Sequence, residues 1–379
     1  MALEPYPPTW LPDGLRSRFV DGINGLRMHI LEAGPADGSR PLLLLLHGFP
    51  ELAYSWRKVM LPLAAAGYHV VAPDQRGYGR TTGWDPAYDG DLYSYRRLNI
   101  VRDALGLVSA LGHRSVACVA GHDFGSPVAA WCAVTRPDVF RSAVLMSAPF
   151  AGTAPWPLPA GAPPAREGLD AALAALPRPR MHYQHYYQSP AANENMWHAP
   201  QGVHAFLRAY YHYKSAGWEG NRPYPLPDSG AASFALLPTY YVMDRGEGMA
   251  ETVARVAPSP EEIAANTWLP DSEMAIYAAE YERTGFQGGL QWYRSGSLGA
   301  PEMDLYAGRR IDVPCAFIAG ANDWGPFQSP GALDRMRDAA CADFQGIHLL
   351  PGAGHWVQQE QPEATAESLL DFLARNALS

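Results

Sequence analysis

Residues 117–126 constrain the fold of this chain more than any other segment. Their sequence, Ala-Cys-Val-Ala-Gly-His-Asp-Phe-Gly-Ser, begins as an apolar strand and ends as the start of a helix. Gly121 and Gly125 flank Asp123 at the spacing that lets a sharp turn form and lets the helix pass close to the strand. This spacing is typical of a nucleophile elbow, which presents its central residue on a strained turn at the end of a strand.

Asp123 stands where an elbow usually carries serine. A carboxylate at that point attacks carbon and forms an ester with the enzyme itself, which narrows the possible chemistry considerably. An aspartate can also act as a plain helix cap, accepting a hydrogen bond from the first backbone amides of the next helix. The elbow segment alone leaves both interpretations open.

Strand and helix patterns alternate through the first part of the chain. The predicted strands are residues 27–33, 42–46, 69–72, 116–120 and 143–147. The predicted helices between them are residues 56–66, 99–111 and 126–135. This alternation predicts the α/β fold class, with a mostly parallel sheet covered by helices on both faces. We assign residues 1–150 to the first part of an α/β core.

The composition changes after Phe150. Residues 151–164 are crowded with proline, glycine and alanine and predict a linker, whereas the region from about 167 to 296 is rich in aromatic residues with short helical patterns. The α/β pattern then resumes with two strands and a final amphipathic helix, at residues 313–319, 346–350 and 363–375. We therefore predict an inserted helical cap at 151–300 and the second part of the core at 301–379.

The charge and hydropathy pattern excludes several classes of partner. The net charge of −9 argues against nucleic acid or an anionic membrane surface. No apolar run approaches the roughly 20 residues that span a bilayer, and the N-terminus lacks the charged and apolar regions of a secretory signal. The four cysteines show no CxxC spacing and predict buried free thiols in a reducing compartment. We expect a cytoplasmic protein, and its oligomeric state is left open.

An ester on Asp123 requires a general base to direct water at it, normally a histidine oriented by a second carboxylate. His355 follows the predicted strand at 346–350, and Asp323 follows the predicted strand that ends near residue 319. Taken singly, His355 fits a surface histidine and Asp323 fits a turn residue. The order nucleophile, acid, histidine, each after a strand, favours a catalytic triad.

The motif His47-Gly48-Phe49-Pro50 closes the strand at 42–46. Such sheets place ligands at the carboxyl ends of their strands, so backbone N–H groups of this turn are candidates for an oxyanion hole. We assign the two donors to the N–H groups of Phe49 and Phe124, the residue after the nucleophile. A plain turn is the alternative.

Together these segments resemble the epoxide hydrolases of the α/β-hydrolase fold. The matching motifs are His47-Gly48-Phe49-Pro50-Glu51, Gly77-Tyr78-Gly79, Gly121-His122-Asp123-Phe124-Gly125, Ala148-Pro149-Phe150 and Gly354-His355-Trp356. The resemblance covers nearly the whole chain and is weakest from about 200 to 280. It implies hydrolysis of an epoxide to a vicinal diol through an ester on Asp123, without a metal or organic cofactor.

The resemblance also assigns residues in the predicted cap. Tyr293, in Trp292-Tyr293-Arg294, and Tyr183 correspond to the two cap tyrosines that face the epoxide. Two phenols can donate hydrogen bonds and one proton to the oxygen of an opening epoxide near neutral pH. Tyr186 and Tyr187 are adjacent competitors for the role of Tyr183, and either cap tyrosine can instead be a packing residue.

A substrate pocket is expected around the triad. We assign to it five residues of the motifs, His47, Pro50, Trp292, Trp324 and Trp356. The aromatic-rich cap suggests a small-molecule epoxide that is bulky and apolar. His182, His185 and His212 have no further ligand at a familiar spacing, so no metal site is predicted.

Two other functions stay open. A haloalkane-type dehalogenase uses the same aspartate nucleophile, but it needs an indole N–H beside it to hold the halide, and Phe124 has none. A non-catalytic relative that binds a small molecule in the cap is the second alternative, although the triad here is complete in sequence. A serine esterase is disfavoured, because Ser126 lies outside the elbow.

Overall fold

A computed structural model describes residues 3–158 and 167–376 of the chain. Its strands are β1 (Arg16–Ile23), β2 (Leu26–Ala33), β3 (Leu42–Leu46), β4 (His69–Pro73), β5 (Val116–His122), β6 (Ala143–Met146), β7 (Arg180–His182), β8 (Val242–Asp244), β9 (Ile311–Gly320) and β10 (Cys341–Leu350). Every strand predicted from the sequence is present. The clearest differences are that β10 begins five residues earlier than predicted and that β1, β7 and β8 were not predicted as separate strands.

Eight of these strands form one sheet in the order β1-β2-β4-β3-β5-β6-β9-β10. The strands from β4 to β10 in this order pair in parallel, while β2 pairs antiparallel with β4 and β1 antiparallel with β2. The carboxyl ends of β3, β5, β6, β9 and β10 therefore lie along one edge. The loops that carry the elbow, Asp323 and His355 all leave from this edge.

The helices before the cap and after it cover the sheet. The helices are α1 (Arg57–Ala65), α2 (Arg97–Ala110), α3 (Gly125–Thr135), α4 (Glu167–Ala174), α5 (Tyr183–Tyr186), α6 (Ala191–Trp197), α7 (Gly202–Lys214), α8 (Ala231–Phe234), α9 (Met249–Ala254), α10 (Pro260–Ala265), α11 (Asp271–Thr284), α12 (Gln287–Arg294), α13 (Ala300–Met303), α14 (Ala332–Arg335), α15 (Val357–Glu360) and α16 (Pro362–Arg375). Helices α1 and α16 pack together on one face of the sheet, and α2 packs with α3 on the other. The predicted α/β-hydrolase architecture is confirmed.

The central strands form the core of the sheet. All five leucines of β3 are buried, as are all residues of β4 and β6, because helices cover both of their faces. The four cysteines are buried and unbridged. Within the described ranges, no helix is both long enough and apolar enough to cross a membrane.

The segment between β6 and β9 is mainly helical, as predicted. It runs from α4 to α13 and adds a two-stranded antiparallel pair of β7 and β8. Helix α7 packs against α11 and α9, which gives this cap its own apolar interior. Of the predicted linker at 151–164, residues 159–164 lie outside the part of the chain that the structure describes.

Two glycines bring the backbones of the cap and the core into close contact. Gly77, in the loop after β4, lies against Gly288 in the first turn of α12, with backbone on backbone. A Cβ atom added at Gly77 would lie 2.6 Å from the carbonyl oxygen of Gly288, and one added at Gly288 would overlap the carbonyl of Gly77. Only glycine permits this approach. The contact sets the height of α12 above the sheet edge.

We expect Gly288→Ala to lower the free energy of unfolding by about 1–3 kcal/mol, because the added methyl group forces two backbone segments apart. Thermal and denaturant unfolding measure this change. Gly168→Ala in α4 is the matched control, since no atom of residues 3–158 and 167–376 lies within 4 Å of the added methyl group. Equal stability of the two variants would contradict the tight contact.

Candidate active site

The elbow has the strained geometry that its sequence predicts. Asp123 follows β5 directly and adopts a φ of 51°, in the left-handed region that non-glycine residues rarely occupy. A Cβ atom on Gly121 would overlap the backbone of Gly125, and one on Gly125 would overlap the backbone of Leu46. The N-cap position of α3 belongs to Phe124, not to Asp123, and no side-chain capping hydrogen bond forms there. The helix-cap interpretation of Asp123 is therefore not supported.

The Asp123 carboxylate instead points at the turn after β3. The backbone N–H of Phe49 donates a hydrogen bond of 2.9 Å to Oδ1 of Asp123. Gly48 allows this approach, because a Cβ atom there would overlap the Asp123 side chain. One N–H of the expected oxyanion hole thus contacts the predicted nucleophile, while the role of the Phe124 N–H stays a prediction.

His355 lies between two carboxylates. Its Nδ1 is 3.1 Å from Oδ1 of Asp323, and its Nε2 is 3.3 Å from Oδ2 of Asp123. Asp323 is fixed in turn by the N–H of Gly325, which donates to the same Oδ1 at 2.7 Å. Both His355 and Asp323 are buried. The structure brings together the three residues that the sequence assigned to a triad.

The charges of the triad favour one ionisation state. Burial opposes charge on Asp123, but His355, Lys214 and His122 hold the pKa of its carboxyl well below the ordinary value. Burial and the Lys214 cation both oppose protonation of His355, yet the carboxylates of Asp323 and Asp123 raise the pKa of His355 above its ordinary value. Asp123 is therefore ionised across the neutral range.

Lys214, the last residue of α7, is a buried cation that sequence reasoning did not identify. Its Nζ lies 4.9–5.6 Å from the centroids of four aromatic rings, those of Tyr210, Tyr240, Tyr241 and Trp356. Cation–π attraction of this kind partly replaces the water that the ammonium group has lost. The carbonyl of Lys214 also accepts the N–H of His355 at 2.8 Å.

Two further residues without a predicted role hold the loop that carries His355, residues 351–356, which we call the histidine loop. Nε2 of His122 donates to the carbonyl of His355 at 2.7 Å, and Nδ1 of His122 donates to Glu51 at 2.5 Å. Each ring nitrogen of His122 therefore faces an oxygen acceptor. Glu51 also accepts the N–H of Gly48 at 2.9 Å. The hydrogen-bonded pair of Glu51 and His122 links the turn after β3, the elbow and the loop that carries His355.

A cavity of about 980 Å³ lies above Asp123. Asp123, Phe124, Tyr183, Trp292 and Tyr293 all line it. The Tyr293 ring packs edge-on against Phe124, with centroids 4.4 Å apart, and lies 5.9 Å from the ring of Tyr183. The two predicted cap tyrosines and the predicted nucleophile therefore share one cavity.

The neighbouring tyrosines are engaged elsewhere. The hydroxyl of Tyr186 donates to Asn195 at 2.8 Å, and the hydroxyl of Tyr187 donates to Tyr210 at 3.3 Å. Neither Tyr186 nor Tyr187 lines the cavity. The geometry thus favours Tyr183 over both competitors.

Four of the five residues that were expected in the pocket do not line the cavity; Trp292 is the one that does. His47 is buried beneath the oxyanion turn, where it accepts the Gln75 N–H at 3.1 Å. The carbonyl of Pro50 accepts the hydroxyl of Tyr211. Trp356 stacks on that tyrosine ring, and Trp324 packs against Tyr224. These side chains support the walls instead.

The cavity is also more polar than expected. The cap aromatics whose number suggested an apolar substrate pack into the cap, whereas the lining includes the polar residues Arg97, Asp170, His182, Gln184, His185, Gln188, Gln328 and Ser329. Composition could not distinguish aromatic side chains that fill the cap from those that face a ligand. The lining of the cavity is therefore mixed, and the bulky apolar epoxide stays a prediction.

Comparison with known proteins agrees with this architecture. A family model described as alpha/beta hydrolase fold matches residues 41–362. Epoxide hydrolase B of Mycobacterium tuberculosis is 32% identical over 352 residues, which cover 92% of this chain and 96% of that protein. Epoxide hydrolase A of the same organism is 33% identical over 357 residues, or 94% of this chain and 96% of that protein.

Solved structures give the same result. An epoxide hydrolase from an endophytic Streptomyces superposes with a TM-score of 0.77 at 32% identity, covering 97% of this chain and 98% of that one. Epoxide hydrolase I of potato (Solanum tuberosum) superposes with a TM-score of 0.72 at 29% identity, covering 95% and 99%. The chain belongs to the epoxide hydrolases of the α/β-hydrolase fold.

Proposed function

We propose that this protein hydrolyses an epoxide to a vicinal diol through a covalent ester on Asp123. The arrangement that supports this most directly is the position of the Asp123 carboxylate. It contacts the Phe49 N–H at 2.9 Å and His355 Nε2 at 3.3 Å, and it shares a cavity with Tyr183 and Tyr293. The relatives named above carry the name epoxide hydrolase, which supports the same reaction.

In the first step, an oxygen of the Asp123 carboxylate attacks one ring carbon from the back. The C–O bond to the epoxide oxygen breaks, and Tyr183 and Tyr293 stabilise the developing alkoxide by hydrogen bonds. One of the two phenols transfers its proton to that oxygen. The products of the step are an alkyl ester on Asp123 and a tyrosinate.

In the second step, His355 takes a proton from water, and the resulting hydroxide attacks the ester carbonyl of Asp123. Asp323 orients the imidazole and stabilises the imidazolium that forms. The N–H groups of Phe49 and Phe124 stabilise the oxyanion. Collapse of this intermediate releases the diol, and the proton on His355 returns to the tyrosinate by way of solvent.

We propose further that residues 151–300 form the cap that supplies both tyrosines, with 1–150 and 301–379 as the core. Dehalogenation gains no support from the cavity. The ring of Phe124 has no N–H, and the indole N–H of Trp292 donates to the carbonyl of Arg76 at 2.8 Å. Neither side chain offers an N–H donor to a leaving halide.

A single turnover in ¹⁸O-labelled water tests the covalent route. We expect the first diol to contain enzyme oxygen without label, because the attacking oxygen belongs to Asp123. Mass spectrometry of the diol and of the peptide that contains Asp123 measures this. His355→Gln is the companion variant, in which the ester accumulates as a mass adduct. Label in the diol from the first turnover would exclude the ester.

Replacing Tyr293 or Tyr183 with phenylalanine should slow formation of the ester by about 10- to 100-fold, since the other phenol remains to polarise the epoxide oxygen. Rapid-quench or fluorescence stopped-flow kinetics measure this step. Tyr187→Phe is the matched control, because its hydroxyl bonds to Tyr210 and does not line the cavity. An equal effect of all three variants would argue for packing roles.

Ester hydrolysis should fail at low pH, since only neutral His355 can act as base. Lys214 opposes protonation of His355, so Lys214→Met should raise the pKa of His355 and shift the acid limb to higher pH. Lys214→Arg keeps the positive charge and should leave the limb near its wild-type position. Single-turnover rates of ester decay against pH give the answer. A limb that does not move in Lys214→Met would contradict this electrostatic coupling.

A further inference from the structure

The last residue of α15, Glu360, has a carboxylate that the proposed mechanism does not use. Its Oε2 accepts the N–H of Ala216 at 2.8 Å and the N–H of Gly354 at 3.0 Å. Its Oε1 accepts the N–H of Trp356 at 3.0 Å. One side chain thus accepts hydrogen bonds from three backbone amides, and these amides belong to two segments that lie far apart in the sequence.

Two of these amides flank His355 in the histidine loop. The N–H of His355 itself donates to the carbonyl of Lys214 at 2.8 Å. The three consecutive amides of residues 354–356 therefore have only two sources of acceptors, the Glu360 carboxylate and the Lys214 carbonyl. Residues 354–356 are buried, so their N–H groups need acceptors within the protein. Without the Glu360 carboxylate, two of the three N–H groups would lose their acceptor.

The third amide belongs to the segment that follows α7. Ala216 lies two residues after Lys214, the last residue of that helix. A Cβ atom added at Gly354 would lie 2.5 Å from the carbonyl oxygen of Lys214 and 2.6 Å from the nitrogen of Ala216, so the two backbones are in contact. Only glycine permits this approach. Glu360 bonds to both sides of the contact and therefore fixes the separation of α7 and the histidine loop.

The backbone position of His355 decides what its imidazole can reach. The ring lies between Asp323 and Asp123, at 3.1 Å and 3.3 Å, so a small shift of the loop would break one of these contacts. A misplacement of about 1 Å in a reacting group can cost about 100-fold in rate. The groups that form the ester are fixed by other elements, namely Asp123 by the elbow and the two cap tyrosines by α5 and α12.

We propose that Glu360 is a positioning residue for the second step, hydrolysis of the ester, and that it has no part in the first step. Its carboxylate holds the histidine loop against the end of α7 and so sets the position of His355 relative to the ester. A carboxylate suits this role because both of its oxygens accept hydrogen bonds. This inference rests on the proposed epoxide hydrolysis for its kinetic consequence but not for the hydrogen bonds themselves.

The kinetic test compares Glu360→Gln with Glu367→Gln and the wild type. Glutamine keeps the shape of the side chain but replaces one acceptor oxygen with a donor NH₂ group. Glu367 is exposed on α16, so its variant makes the same change in charge away from the site. Burial raises the pKa of Glu360 to about 7, so the assays are run at about pH 9, where the carboxylate is ionised. Rapid-quench kinetics with styrene oxide measure formation and decay of the ester separately.

We expect Glu360→Gln to slow decay of the ester by about 10- to 100-fold and to change its formation by no more than about threefold. Glu367→Gln should match the wild type in both steps. Glu360→Met, which has no oxygen acceptor, should give the same pattern as Glu360→Gln and replaces it if the glutamine variant does not fold. Equal slowing of both steps, or decay at the wild-type rate, overturns the proposal.

Hydrogen exchange measured by mass spectrometry tests the hydrogen bonds without any substrate. Peptides that cover residues 351–360 and 215–221 should exchange about 10-fold faster in Glu360→Gln, because their amides lose an acceptor, while residues 42–46 of β3 should not change. Faster exchange supports the placement of the loop by Glu360 even if no epoxide is hydrolysed. Exchange at the wild-type rate in both peptides overturns that role and leaves the proposed function intact.

Discussion

The buried hydrogen bond between Glu51 and His122 is the contact on which the rest of the active site depends. Glu51 fixes the N–H of Gly48 in the turn whose next residue, Phe49, donates to Asp123. His122 fixes the carbonyl of His355 from the last position of β5. Three loops from three strands are thus held at hydrogen-bond distance of one another. Removing one partner would leave buried polar groups without their hydrogen bonds, which is destabilising.

The same loops concentrate charge that would be unstable if it were not balanced. Asp123, Asp323 and Glu51 bring three carboxylates into the site, and Lys214 lies close enough to interact electrostatically with all three. His355 then faces two carboxylates on one side and a cation on the other. In the proposed mechanism, esterification of Asp123 removes one carboxylate charge and so lowers the pKa of His355 relative to the free enzyme, which favours a neutral base for the second step.

The sequence predicted the parts of this structure that depend on local patterns. Apolar runs located β3, β5 and β9, and the elbow spacing located Asp123, because strand periodicity and glycine geometry act over a few residues. The edge strand β1 was missed because much of it is exposed and its apolar signal is weak. Lys214 was missed for another reason. The four aromatic rings around Lys214 come from α7, the loop before β8 and the histidine loop. These segments are far apart in the sequence, so no local pattern predicts that they surround one lysine.

Pocket residues were harder to predict than the triad for a related reason. Trp356 follows His355 in the sequence, and His47 lies two residues before Phe49. Successive side chains in a turn point in different directions, however, and the side chains of Trp356 and His47 point away from the cavity. Arg97 lies in a helix start with no distinguishing motif, and only the fold brings it to the cavity wall. A signal existed in retrospect, since two adjacent arginines at a helix N-terminus oppose the helix dipole.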